Sequence, residues 1–477
     1  MEANRPNFVF IFPDQWRGDC LGKDDNHIIE TPYLDALASE GVMFNHAYAA
    51  APSCIPARAC LATGQTPSTC GRPGYRDGIP WRYEHTLMKE LRDGGYHTMC
   101  VGKTHFYPQR VRLGFEELRL YDPQEKLGNV KSDYHRWLEK ETNGKVKDPA
   151  IEWNNNTWMR YSWEADEYLH PTNWTTDNAI EMIENRDPHR PFFIQIGYHR
   201  PHSPYDPPKY YYDLYKDKEL PPIPVGDWAK EENNREIEEV DSFRGELPAQ
   251  LLDRMRRAYY GSITHIDAQI GRLIFWLKKN RLYDNTYIIF CSDHGDLMGD
   301  HLSYRKVTPM EGSARIPFII RTPESKLTGK RTLPVTHMDI MPTILEAAKL
   351  KIPEEVEGIS LLSALEEDSE ITRTFIHGEH SFVNEAIDMI EGWQFVTDGK
   401  EKYIWDSYSG REYFFNLEDD PNEMKNIIHE EKQHDKIQLW KNRLIDVLKE
   451  RKDDGLVEEG KLVSGKYAPE VRKCLCE

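Results

Sequence analysis

Five short, nearly unbroken apolar runs constrain the fold most: 8–12, 97–101, 192–196, 287–291 and 316–320. A strand with one wet face alternates polar and apolar residues, whereas these runs do not, so they read as strands buried on both faces. Helical spacing fills the intervals. Thr31-Pro32 offers an N-cap and a first-turn proline before Leu34, Leu37 and Ala38, with Gly41 as the stop. The segments 255–279 and 339–349 carry the same period. Strands alternating with helices imply an α/β fold, a large, mostly parallel sheet sandwiched by helices.

Polar clusters follow four of the runs directly: Asp14-Gln15, Lys103 with His105, the 199–202 segment, and Asp293-His294. In open α/β sheets the ligand site lies beyond the carboxyl ends of the strands, so the four clusters should converge. His199 and His301 read equally as site or structural histidines. The segments 120–175 and 205–250, rich in Trp, Tyr, Pro and charge, read as insertions that shape a pocket. Within them Trp153, Trp158, Trp163 and Trp174 read either as a stacking surface for a sugar or aromatic group or as a packed insertion. After residue 375 the pattern changes to short strand-like pieces at 393–397, 402–405 and 412–416 and a charged helix over 426–451. That change implies a catalytic domain over 1–375 and a smaller α+β C-terminal subdomain over 376–477.

Composition narrows the partners. The chain of 477 residues carries 80 acidic and 61 basic side chains, a net charge of -19 that repels nucleic acid and anionic membrane surfaces. A focused cationic pocket can still hold one small anionic ester. No run approaches a membrane span, and 8–12 is shorter than a signal-peptide core. Eight irregularly spaced cysteines do not form a disulfide framework, so a reducing, cytoplasmic setting is expected. The sequons at Asn155 and Asn173 then read as chance matches, and Cys474-Leu475-Cys476 as a weak metal signal on a mobile tail. No Walker loop or GxGxxG fingerprint is present.

The sharpest chemical signal is Cys54-Ile55-Pro56-Ala57-Arg58, followed by Ala59-Cys60-Leu61-Ala62-Thr63-Gly64. Pro56 suits a first helical turn and Gly64 a stop, which places Cys54 at a helix N-terminus, where anionic groups are stabilised. A cysteine there is by itself an ordinary buried thiol. Its neighbours change the reading. The segment resembles the Cys-x-Pro-x-Arg signature of the sulfatase family, in which the cysteine is oxidised to formylglycine. Ala57 stands where the family usually has serine, a departure that bears on which formylglycine-generating maturation enzyme accepts the site. Gly95-Tyr96-His97-Thr98 through Gly102-Lys103-Thr104-His105 looks like the family's second signature. Phe10 to Gln15 and Ser292 to Gly295 resemble its two metal segments, Pro201-His202-Ser203-Pro204 the segment of the second catalytic histidine, and Lys306 its late lysine. Leu417 to Glu423 also looks familiar.

The resemblance implies an alkaline phosphatase-like fold and hydrolysis of a small sulfate ester, a sugar or aryl sulfate, by a formylglycine hydrate at position 54. It implies one divalent ion held by Asp14, Gln15, Cys54, Asp293 and His294. Such an oxygen-rich shell suits Ca²⁺, with Mg²⁺ or Mn²⁺ as alternatives. Arg58 and Lys103 would stabilise the nucleophile and the anion, and His105 would act as base when sulfate is expelled. His202 and Lys306 would hold the ester sulfate and deliver a proton to the leaving oxygen. Many sulfatases carry two adjacent aspartates where this chain has Asp14-Gln15, and the Asp-Gln pair also occurs in phosphonate monoester hydrolases. A phosphonate monoester or phosphodiester hydrolase is therefore an alternative, and a silent binder of sulfated ligands is a non-enzymatic one.

Overall fold

The computed structural model describes residues 5–123, 130–152, 155–237, 239–366, 371–384 and 389–475. Its main sheet is built from strands Asn7–Ile11 (β1), Val42–Phe44 (β2), His97–Gly102 (β3), Glu117–Leu120 (β4), Phe192–Gly197 (β5), Thr286–Cys291 (β6), Phe318–Arg321 (β7) and Gly329–Arg331 (β8). They lie in the order β4-β3-β5-β1-β6-β7-β2-β8. The five strands from β4 to β6 are mutually parallel, and β7 is antiparallel to both of its neighbours. All of β1, β3 and β5 is buried, as unbroken apolar runs require. Removing each large apolar side chain there from water contributes about 1.5–3 kcal/mol. One large apolar cluster covers each face of this sheet.

The run at 316–320 enters the sheet two residues late. Ile316 N donates to Ala47 O, and Pro317 has no N–H, so the ladder with β6 begins at Phe318. The short strands β2, β4 and β8 carry no distinctive apolar run, and the sequence reading passed over them.

The helix read from residue 255 begins earlier, at Ala249–Lys279. Its first buried side chain is Met255, so no apolar period marks its start. The segment 339–349 divides into a 3₁₀ turn at His337–Asp339, closed by a capping box from Thr336, and a helix at Ile340–Ala347.

A second, antiparallel sheet comprises Ile376–Asn384 (β9), Met389–Thr397 (β10), Glu401–Asp406 (β11) and Glu412–Asn416 (β12), in that order. Trp393, Phe395 and Ile404 pack towards Tyr48, Leu297 and Met310 of the larger body. Val396, Tyr403 and Trp405 on the opposite face meet Trp440, Leu444 and Leu448 of the terminal helix. That helix spans His434–Leu448, shorter than the expected 426–451. The Asn426 side chain accepts from Phe414 N and Ile428 N, which diverts the preceding segment from helix.

Trp158, Trp163 and Trp174 are buried in the larger core, so these three tryptophans are packing residues and form no stacking surface. Trp153 and Cys476 lie outside the described residues. Asn173 is only 7 % exposed and its Oδ1 bonds His265, which leaves no room for a glycan. Among the described residues no helix is long and apolar enough to cross a membrane.

Candidate active site

The four polar clusters meet at the carboxyl ends of β1, β3, β5 and β6. Asp14 and Gln15 leave β1, Lys103 follows Gly102 at the end of β3, and Asp293 and His294 follow β6. Gly102 has φ +94°, and a Cβ there would stand 2.1 Å from Gly197 O. Only glycine lets the two strand ends come this close, and that approach sets Lys103 beside Asp14. Cys54 is the first residue of the Cys54–Thr63 helix, which stops at Gly64 in the left-handed conformation.

Around Cys54 the charged groups are interlocked. Lys306 Nζ lies 3.1 Å and His294 Nε2 3.2 Å from its Sγ. Asp14 Oδ1 is 3.7 Å away. Arg58 reaches Asp293 Oδ2 at 2.8 Å and Asp14 Oδ2 at 2.9 Å, and Lys103 Nζ reaches the same Asp14 oxygen at 2.7 Å. Arg58 and Lys103 are each 2 % exposed and therefore not surface cations. Gln15 donates its amide to Asp296 and accepts from Lys306 Nζ at 3.0 Å through Oε1. These contacts fix which way the amide faces.

Burial and the nearby Asp14 push the Cys54 thiol up, but Lys306, Lys103 and His294 outweigh them and hold it well below its ordinary value. Burial likewise opposes ionisation of Asp14, yet Lys103, Arg58 and Lys306 keep its carboxyl well below the usual range. Asp293 goes the other way: burial and the Asp14 charge raise it, with His294 and Arg58 only partly compensating. The donor atoms of Asp14, Cys54, Asp293 and His294 all lie within 4.8 Å of one another. Two buried carboxylates, one of them under-neutralised, beside an imidazole and an amide oxygen make a donor set that fits a hard divalent cation.

Both catalytic-candidate histidines face this cluster. His105 Nε2 lies 3.3 Å from Asp77 Oδ1, while its Nδ1 is buried with no hydrogen-bond partner. Burial and Lys103 disfavour the charged ring, but the Asp77 hydrogen bond and the Cys54 contact prevail and raise it to about 9. His202 donates Nδ1–H to Ser203 O at 2.8 Å, which leaves Nε2 for other partners. Burial, Lys306 and Lys103 hold this ring well below the ordinary histidine value.

Cys54, Lys103, His105, His202 and Lys306 open into a cavity of about 610 Å³. Its outer wall comes from both insertions, at Asn155 and at Arg235, Glu236, Glu239 and 241–244, and from β9 and β10 at Phe382 and Met389. His199 stays behind this wall, its Nδ1 held by Arg200 at 2.5 Å and its ring 4.9 Å from that of His202. His301 is structural: Nδ1 accepts from Gly226 N, and the ring packs on Trp228.

Asp77, Asp296, Phe243, Arg305 and Phe382 were missed by the sequence reading. Asp296 stands three residues after Asp293 and was within reach of that reading. Asp77 lies in an irregular segment, and nothing in its neighbours links it to His105.

A family model described as "Sulfatase" matches residues 6–350, and a second, "N-sulphoglucosamine sulphohydrolase, C-terminal", matches 299–450. An arylsulfatase of Clostridium perfringens is 42% identical, the match covering 97% of this chain and 98% of the relative. The chain belongs to the sulfatase family. As a sulfatase it is a hydrolase of sulfate esters. A choline-sulfatase of Rhizobium meliloti is 29% identical over 90% of this chain and 83% of its own. Among solved structures, the phosphonate monoester hydrolase of Agrobacterium radiobacter has a TM-score of 0.78 at 23% identity, covering 98% of this chain and 100% of that one. A protein solved with its substrate D-glucosamine-2-N,6-O-disulfate has a TM-score of 0.75 at 21% identity, covering 94% and 99%. At those identities the two structures establish the shared alkaline phosphatase-like fold.

Proposed function

We propose that this sulfatase releases inorganic sulfate from a small aryl or sugar sulfate, using formylglycine derived from Cys54 and one divalent ion, Ca²⁺ by preference, with Mg²⁺ or Mn²⁺ as alternatives. One observation carries the reading: Cys54, at a helix N-terminus, faces a cavity flanked by Lys103, Lys306, His105 and His202 and backed by the acidic donor set. The arylsulfatase and choline-sulfatase relatives support the ester class. Seven described cysteines, none in a disulfide, support a reducing cytoplasmic setting.

Asp14, Gln15, Asp293, His294 and position 54 would hold the ion, which when bound supplies positive charge that favours ionisation of the attacking hydroxyl. The formylglycine hydrate offers two hydroxyls, one to attack sulfur and one whose deprotonation lets sulfate leave. Arg58 bridges Asp14 and Asp293, holding the two carboxylates in register and offsetting part of their mutual repulsion. Lys103 and Lys306 approach the cavity from two sides and meet the oxygens of the ester group. His105, oriented by Asp77, presents its unpartnered Nδ1 as the base for the second hydroxyl. His202 presents Nε2 towards the leaving oxygen. An entering anion offsets the two lysine charges that keep this ring neutral, and so lets it carry the proton to be donated.

The test is sulfate release from 4-nitrophenyl sulfate by matured protein, followed by ion chromatography, with Cys54→Ala as control. Stoichiometric sulfate and nitrophenol from wild type, and loss of at least about 10³-fold in the variant, are expected. Turnover of a phenylphosphonate ester at a higher kcat/KM than the sulfate would favour the phosphorus-ester alternative instead.

A further inference from the structure

The cavity is larger than one sulfate group needs, and besides Lys103 and Lys306 it is lined by Arg235, Arg244 and Arg305, the last next to Lys306 in the chain. Arg305 and Val307 both have positive φ, 67° and 81°, so the backbone reverses direction at each side of Lys306. Lys306 thereby reaches Cys54 while Arg305, also lining the cavity, turns to the outer wall. There its guanidinium lies 4.0 Å from the Phe243 ring centroid, and Phe243 packs against Phe382 of β9 at 5.1 Å. Stacking fixes the plane of the guanidinium and leaves its edge for hydrogen bonding.

The partners of that edge are few. Arg305 donates NH1 to the backbone oxygen of Asp241 at 3.0 Å, and its Nε is buried with no hydrogen-bond partner. Among the described residues it makes no salt bridge, unlike its neighbour Arg244, which is paired with Glu391. Burial lowers its proton affinity, and the Asp241 charge only partly offsets this. A planar, oriented, incompletely paired arginine inside a substrate cavity is a ready site for a carboxylate or another oxyanion. The acidic side chains in the same wall, Glu236, Glu239 and Asp241, stand on the 235–244 segment; Glu236 and Glu239 are exposed at the rim.

Resting on the sulfatase reading, we propose that Arg305, stacked on Phe243, is a specificity-determining residue that binds a second anionic group on the organic part of the substrate. The preferred substrates are then sulfate esters that carry a carboxylate or a further sulfo group beside the ester being cleaved.

The experiment compares kcat/KM for phenyl sulfate, 3-carboxyphenyl sulfate and 3-sulfophenyl sulfate in matured wild type, Arg305→Gln and Arg305→Lys. Each substituent also changes the leaving group, so the informative quantity is the charged-to-neutral ratio in wild type divided by the same ratio in the variant. That quotient is expected to be about tenfold or more for Arg305→Gln, the scale of one charge-assisted hydrogen bond, and smaller for Arg305→Lys, which keeps the charge and loses the stack. The difference should fall mainly in KM, with phenyl sulfate turnover little changed. A larger quotient with the carboxylate or with the sulfo group identifies which oxyanion fits. A quotient near one for both, or a variant that loses all three substrates equally, overturns the subsite while leaving the sulfatase reading intact. Absence of any phenyl sulfate turnover in wild type overturns both.

Discussion

At the scale of single residues, the two histidines of the cavity differ in charge because their partners differ. His105 carries a proton up to about pH 9 because Asp77 holds it, and a base must first lose that proton. The expected kcat profile therefore rises with pH and levels off by about pH 9, and His105→Gln should abolish the slope as well as much of the rate. A wild-type profile already flat from pH 6 would remove His105 from the base role. For His202, which needs the substrate anion to become charged, the informative variable is the leaving group. His202→Ala should lose about 10²- to 10⁴-fold on a sugar sulfate and far less on an activated aryl sulfate. Equal losses would show that the ring binds sulfate and does not donate a proton. Asp14, Gln15, Lys103, Asp293 and His294 lie just after strand ends and Cys54 at a helix start, where sequence position and spatial position coincide; Lys306, on a loop, was reached only through the family resemblance. Asp77 and Arg305 were not legible, since their roles come from loops whose course depends on tertiary packing.

At the scale of elements, buried strands were read well, because a strand covered on both faces writes its burial directly into a continuous apolar run. The short strands Val42–Phe44 and Gly329–Arg331 have too few residues to do so, and the terminal helix was overextended because charge patterning does not reveal that Asn426 caps other backbone groups. The joint between the second sheet and the catalytic loop has its own chemistry. Lys402 of β11 is fully buried and bonds Glu423 at 2.8 Å and Glu311 at 2.7 Å, five residues beyond Lys306. Two carboxylates share this ammonium, and burial, with Lys402 only partly opposing it, pushes Glu423 up to about 7. A folded-state value above the unfolded one means stability that is fully present below about pH 4.5 and is lost as pH rises through about 7. The loss is on the order of 3 kcal/mol. Thermal melts of Glu423→Gln should show a shallower decline over that window than wild type. Parallel curves for the two proteins would show that Glu423 does not take up the proton over this window.

At the scale of the whole molecule, the site is assembled from segments hundreds of residues apart, and the second sheet closes it. Phe382 and Met389 reach the cavity from β9 and β10, so the C-terminal part of the chain supplies part of the cavity wall. The sequence announced a change of pattern after residue 375 but contained no signal that this part returns to the nucleophile. The proposed ion site, at Asp14, Cys54, Asp293 and His294, lies on the larger body. Chelation should abolish turnover and lower the melting temperature, and Asp293→Asn should do the same with metal analysis showing loss of a stoichiometric ion. Full activity after complete metal removal would exclude the ion from the reaction. The central claim is that position 54 is the nucleophile in its oxidised form, and peptide mass spectrometry of fully active protein tests it most directly. The expected result is formylglycine, or its hydrate, at residue 54 in proportion to specific activity; an intact Cys54 thiol throughout fully active protein would contradict the account.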